Sequence, residues 1–129
     1  MLNYNATSNT YTLNSKQNPA PIGSTVVFFV TGEGEYAGTT YSPEDGFVVP
    51  LTPPVATGVY PQLGTPPTVS IGGTAVTTVS YAGPIPGSML GLLQVNAVVP
   101  VGASTGNSVP ILVTIGGTST QAGVTMAVN

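Results

Sequence analysis

Proline and glycine decide most of what this chain can become. Its 129 residues include 13 Pro and 17 Gly, spread from end to end. A proline inside a helix removes a backbone hydrogen bond and collides with the preceding turn. No proline-free window here also carries an apolar stripe at the i, i+3, i+4, i+7 spacing, so no long helix is expected. The segments between the breakers are short and rich in Val, Ile, Thr and Tyr. Such branched or ringed side chains suit a pleated strand better than a helix. The glycines and prolines follow no three-residue period, which excludes collagen. Hydrophobic residues, at 41%, supply more apolar surface than a disordered chain carries. The expectation is an all-β protein of one domain.

Residues 2–13 alternate apolar and polar on either side of a Thr7-Ser8-Asn9 break, which signals strand, turn and strand. Residues 14–23 read as a polar connection with Pro19 and Pro21. Residues 24–31 (Ser-Thr-Val-Val-Phe-Phe-Val-Thr) form a continuous β-branched and aromatic run, expected to be central in a sheet or covered on both faces. Residues 32–67 hold the densest prolines, which belong at edges and in loops, with short strands expected near 36–41, 47–51 and 55–60. A hairpin is expected where Thr68-Val-Ser-Ile meets Gly72-Gly73 and continues as one strand over 74–81. Paired glycines supply the positive φ angles of a tight primed turn. After a loop at 83–87, residues 90–99 alternate Leu93, Val95, Ala97 and Val99 against Leu92, Gln94, Asn96 and Val98. A turn at 100–107, a strand at 109–115, a second tight turn at Gly116-Gly117 and a last strand over 118–128 complete the chain. About seven to nine short strands at this spacing predict an immunoglobulin-like antiparallel β-sandwich. The echo between Val69-Ser-Ile-Gly-Gly-Thr and Val113-Thr-Ile-Gly-Gly-Thr is read as two uses of one good turn, too short for a solenoid.

Charge narrows the function. Only 4% of residues are charged: Lys16 is the one basic side chain, and Glu33, Glu35, Glu44 and Asp45 are the acids. Globular proteins carry about a quarter. With no basic patch, phosphate neutralisation has no source, so no nucleic-acid partner is expected. No stretch approaches the length of a membrane-spanning helix, so no membrane span is expected. A surface of Thr, Ser, Asn, Gln and Gly opposes self-association only weakly.

The chain has no His and no Cys. A Ser–His–Asp triad, a Cys–His pair and zinc held by nitrogen or sulfur are therefore excluded. The glycine pairs lie between strands rather than ahead of helices, so they form no phosphate cradle. No cofactor is expected. The four acids satisfy the count for a glycosidase but not its shielded setting. Glu33, Glu35, Glu44 and Asp45 are weak candidates for one calcium ion, which accepts oxygen ligands from irregular loops; the favoured role is as solvated turn residues. Tyr4, Tyr11, Tyr36, Tyr41, Tyr60 and Tyr81 could stack on a sugar, although sandwich tyrosines more often pack at sheet edges and bond through the hydroxyl. Asn5-Ala6-Thr7 fits a glycosylation sequon, a pattern frequent by chance.

Several segments resemble, in order, a C-terminal domain family of large secreted acidobacterial proteins, the Solibacter-type domain. They are Asn14-Ser, Asn18-Pro-Ala-Pro-Ile-Gly-Ser-Thr-Val-Val-Phe-Phe-Val-Thr-Gly-Glu-Gly, Thr68-Val-Ser-Ile-Gly-Gly, Val79-Ser-Tyr-Ala-Gly, Pro86-Gly, Gly91-Leu-Leu-Gln-Val-Asn-Ala-Val-Val-Pro and Val109-Pro-Ile-Leu-Val-Thr-Ile-Gly-Gly-Thr-Ser. The likeness covers about residues 5–128, and Gln94-Val-Asn96 with its downstream Val-Pro is its most specific part. The closing part is also similar to immunoglobulin-like domains of plexins and cell-surface proteins. The resemblance implies a secreted β-sandwich and transfers no catalytic residue.

The expected protein is therefore non-enzymatic and sits outside the cell or on its surface. It would be a structural subunit that self-associates into homo-oligomers or polymers, filaments included. Residues 14–128 would be the core. Residues 1–13 would be an N-terminal extension that adds a strand to a neighbour's sheet, with Leu2, Tyr4, Tyr11 and Leu13 as anchors. The other expectation, the favoured one of the two, makes residues 2–13 the start of the chain's own sandwich. An expectation of a different class is an adhesive module for glycans or cell surfaces.

Overall fold

Two antiparallel sheets packed face to face make up the fold. A computed structural model describes residues 1–32, 46–54 and 58–129, and among these residues there is no helix. The strands are β1 (Leu2–Asn5), β2 (Thr10–Leu13), β3 (Thr25–Thr31), β4 (Thr68–Ile71), β5 (Thr74–Ala75), β6 (Val79–Pro84), β7 (Leu92–Val98), β8 (Gly106–Ile115), β9 (Thr118–Ser119) and β10 (Thr125–Val128). One sheet has the order β2-β1-β3-β7-β6; the other has the order β10-β8-β4-β5, with β9 also paired to β8.

The core lies between the sheets, and side-chain alternation fills it. Val26 and Phe28 of β3 meet Leu93, Val95 and Ala97 of β7 on one side. Val69, Ile71, Val109, Ile111, Val113, Met126 and Val128 come from the other. Removing each large side chain from water stabilises the fold by roughly 1.5–3 kcal/mol. The β3 run is central in its sheet, as its composition predicts. Val27 points away from the core yet is buried too, so the first half of β3 is covered on both faces. Coverage stops at Phe29, which is 44% exposed.

Both expected glycine turns form. Gly72 and Gly73 have φ of 61° and 80°, and Gly116 and Gly117 have 56° and 84°. Positive φ at both central positions is the mark of the type I′ turn that joins twisted strands.

Four strand expectations need correction. Residues 74–81 are not one strand: β5 pairs with β4 in one sheet and β6 pairs with β7 in the other, so the chain changes sheets between Ala75 and Val79. The alternation breaks at that change: Val76 and Val79, both half-buried, lie three residues apart with exposed Thr77 and Thr78 between them. β6 extends to Pro84, inside the stretch expected to be loop. Residues 118–128 split into β9 and β10, with Gly123 at a φ of 90° in the turn between them. Residues 47–51 form no strand, only an isolated bridge from Val48 to Met89. The strand expected at 36–41 lies outside the described residues. Of 55–60, the described residues 58–60 are not in a strand.

The two glycine turns differ in their surroundings. A Cβ at Gly72 would lie 2.6 Å from the Ser104 nitrogen and 3.1 Å from Val109 Cγ1, whereas one at Gly116 meets nothing within 4 Å. Gly116→Ala bears only the cost of left-handed backbone, about 1–2 kcal/mol. Gly72→Ala adds a steric clash in a packed region and should lose roughly 2–4 kcal/mol. Urea unfolding of the two variants measures the difference.

Candidate functional site

The N-terminal hairpin carries the side chains expected to act as an interface, and its turn is built by local chemistry. Asn5 Oδ1 accepts hydrogen bonds from the backbone N–H groups of Thr7 (3.0 Å) and Ser8 (3.1 Å). Such an Asx turn lets a side chain stand in for a backbone partner. Asn9 closes the turn at a φ of 51°, a left-handed conformation that asparagine tolerates. The Tyr4 hydroxyl donates to Asn9 Oδ1 at 3.2 Å.

The structure places residues 2–13 within the chain's own first sheet. β1 lies between β2 and β3, with Leu2 opposite Leu13 and Val27, and Tyr4 opposite Tyr11 and Thr25. Directly opposed residues share a face. Leu2, Tyr4, Tyr11 and Leu13 are therefore brought together on the outer face of the first sheet, away from the core. The rings of Tyr4 and Tyr11 pack with centroids 5.0 Å apart at 35°. Tyr11 is 52% exposed and Leu13 68%. An apolar corner thus borders β2, which is the last strand of its sheet.

A group of asparagines fixes this hairpin to the rest of the sandwich. Asn14 Nδ2 donates to Asn3 Oδ1 (2.9 Å) and to the Ala127 carbonyl (2.9 Å), while its Oδ1 accepts from the Ala127 N–H (2.8 Å). Asn18 Nδ2 donates to Thr12 Oγ1 (3.0 Å) and the Leu13 carbonyl (2.8 Å), and its own carbonyl accepts from Asn3 Nδ2 (2.9 Å). The carboxamide of Asn14 offers one donor and one acceptor side by side, as a peptide unit does, so it caps β10 like a further strand. Residues 14–23 look like a mere connection in sequence. They hold these clamps and also a parallel bridge from Ala20 to Val128.

Glu33, Glu35, Glu44 and Asp45 lie outside the described residues, as do Tyr36 and Tyr41. The hydroxyl of Tyr60 donates to the Pro50 carbonyl (2.9 Å) and that of Tyr81 to the Pro84 carbonyl (2.7 Å), the packing role that sandwich tyrosines usually take. A cavity of about 410 Å³ opens between the sheets, lined by Met1, Phe28, Val30, Ile111, Val113 and Val124 among others. Its lining is mainly apolar and offers few partners to sugar hydroxyls. Among the described residues no helix is long and apolar enough to cross a membrane. In comparisons with known proteins, no family model, no curated protein and no solved structure matches the chain.

Two outcomes follow from the hairpin's placement. Asn14→Ala strands the N–H of Ala127, itself 2% exposed, and should cost about 1–3 kcal/mol. Asn14→Asp should cost no less, because it sets a second acceptor against the Ala127 carbonyl; urea titration measures both. Deleting residues 1–13 removes two strands of the first sheet and should leave a chain without cooperative unfolding by circular dichroism. A soluble folded product would instead show that the hairpin is dispensable to the fold.

Proposed function

We propose that this chain is a non-enzymatic extracellular structural subunit that associates with copies of itself. The observation that carries the proposal is the β2 edge. It is a terminal strand of its sheet, and its four residues are all exposed. Tyr11 and Leu13 on it extend an apolar corner begun by Leu2 and Tyr4. Natural proteins guard such edges with lysine, proline or a bulge, and Thr10–Leu13 contains neither residue. The near absence of charge supports the same function, since copies meet with little repulsion. The lack of His and Cys supports a non-catalytic role. A place outside the cell is motivated by the resemblance read from the sequence alone, which no family model matches. Filaments are one form such assembly can take.

A second function rests on one observation, the half-exposed ring pair of Tyr4 and Tyr11. A pair of aromatic faces at the surface is the kind of platform on which a sugar stacks, and it would make the domain an adhesive module for glycans or cell surfaces.

Light scattering over a concentration series, with negative-stain electron microscopy, separates the two. Mass rising with concentration, or ordered polymers, is the expected result. A monomer at every concentration that is retained on a polysaccharide column would replace the structural function with the adhesive one.

A further inference from the structure

The edges of the two sheets are not equally open. In the first sheet, β6 is closed at Ala82, whose carbonyl accepts from the Leu63 N–H (3.0 Å) and whose N–H donates to Gln62 Oε1 (3.3 Å). Pro84 at its end has no N–H to offer, and its carbonyl takes the Tyr81 hydroxyl. In the second sheet, β10 is closed at Ala127 by Asn14 and Ala20, and beyond it Asn129 bonds Ala20 and Ile22. β5 and β9 are only two residues each.

β2 differs. The Asn14 N–H donates to the Met1 carbonyl (3.2 Å). Antiparallel ladders alternate, so Thr12 and Thr10 bond inward to Asn3 and Asn5. Tyr11 and Leu13 then turn their backbone N–H and C=O away from β1. The Leu13 carbonyl is already taken by Asn18 Nδ2. The open strip is therefore centred on Tyr11, with the Leu13 N–H beside it, and no charged residue lies between Thr10 and Leu13.

We propose that β2 pairs antiparallel with β2 of a second copy about a two-fold axis at Tyr11. This inference rests on the self-association proposed above and specifies its geometry. The Tyr11 N–H of each protomer donates to the Tyr11 carbonyl of the other, and Thr10 lies opposite the partner's Thr12. Two five-stranded sheets become one continuous sheet. The Tyr4–Tyr11 ring pair meets its copy across the junction, which sets four rings in a row on one face. Because the same strand serves both sides, the contact is isologous and closes at two. Among the described residues the other edges are capped or short, so strand pairing does not propagate through them. A polymer must use a different kind of contact, with this dimer as its repeating unit.

The test uses the full chain and two substitutions at one position. The protein has no cysteine, so Tyr11→Cys introduces a single thiol. In a hydrogen-bonded antiparallel pair the Cα atoms are about 5.5 Å apart, within reach of a disulfide. Mild oxidation should give a covalent dimer of Tyr11→Cys well before Ser119→Cys, an exposed control on β9. Tyr11→Lys sets like charges face to face and should raise the dimer dissociation constant about tenfold or more in sedimentation equilibrium, with the β-sheet circular dichroism retained. Should Tyr11→Lys misfold, the cross-linking comparison alone decides. Wild-type association that Tyr11→Lys leaves unchanged, or equal cross-linking by the two cysteines, overturns this interface while self-association stands. A wild-type monomer at millimolar concentration overturns both.

Discussion

The pairing of β3 with β7, from Thr25 opposite Val98 to Thr31 opposite Leu92, is the contact on which the other elements depend. It joins residues far apart in the chain, so its closure entropy must be met before any local element gains from it. Once formed, it sets Val26 and Phe28 beside Leu93, Val95 and Ala97 and creates the apolar surface onto which the second sheet docks. β1 lies on the other side of β3 and β6 on the other side of β7. The hairpin corner takes its position from that arrangement: Leu2 and Tyr4 face outward because they oppose Val27 and Thr25.

A sandwich made this way has sheet edges, and edges invite pairing with other chains. Here most are closed without charge. Gln62 reaches the N–H of Ala82, Tyr81 the carbonyl of Pro84, and Asn14 both backbone groups of Ala127. Side-chain amides and a phenol do what lysines do on other edge strands. β2 has a similar cap only at its Leu13 end. The asymmetry between this edge and the rest gives the molecule a direction for contact.

Much of the fold was legible in the sequence because it rests on local chemistry. Alternation along residues 92–98, the unbroken run of β3 and two glycine pairs with positive φ each state a strand or turn without reference to distant residues. What was not legible depends on distance. The break between Ala75 and Val79 follows from which sheet each half joins, and strand-forming residue types do not name the sheet. Asn14 looks like any polar loop residue, and its role comes from Ala127, which lies 113 positions away. The grouping of Leu2, Tyr4, Tyr11 and Leu13 on one face was readable from spacing. Whether that face served this sheet or another depended on the partner strand, which spacing does not name. The acids singled out by charge lie outside the described residues.

The asparagine clamp has a consequence for the conditions this fold can meet. Stability varies with pH only through groups that hold protons differently when folded and unfolded, and dissolved salt weakens attraction between charges. The ties from Asn3, Asn14 and Asn18 to the hairpin and to β10 join carboxamides to backbone groups, to a hydroxyl and to one another. None of these groups gains or loses a proton in ordinary water, and none carries a charge to be screened. The junction between the hairpin and the last strand therefore contributes no pH dependence and no ion-pair screening of its own.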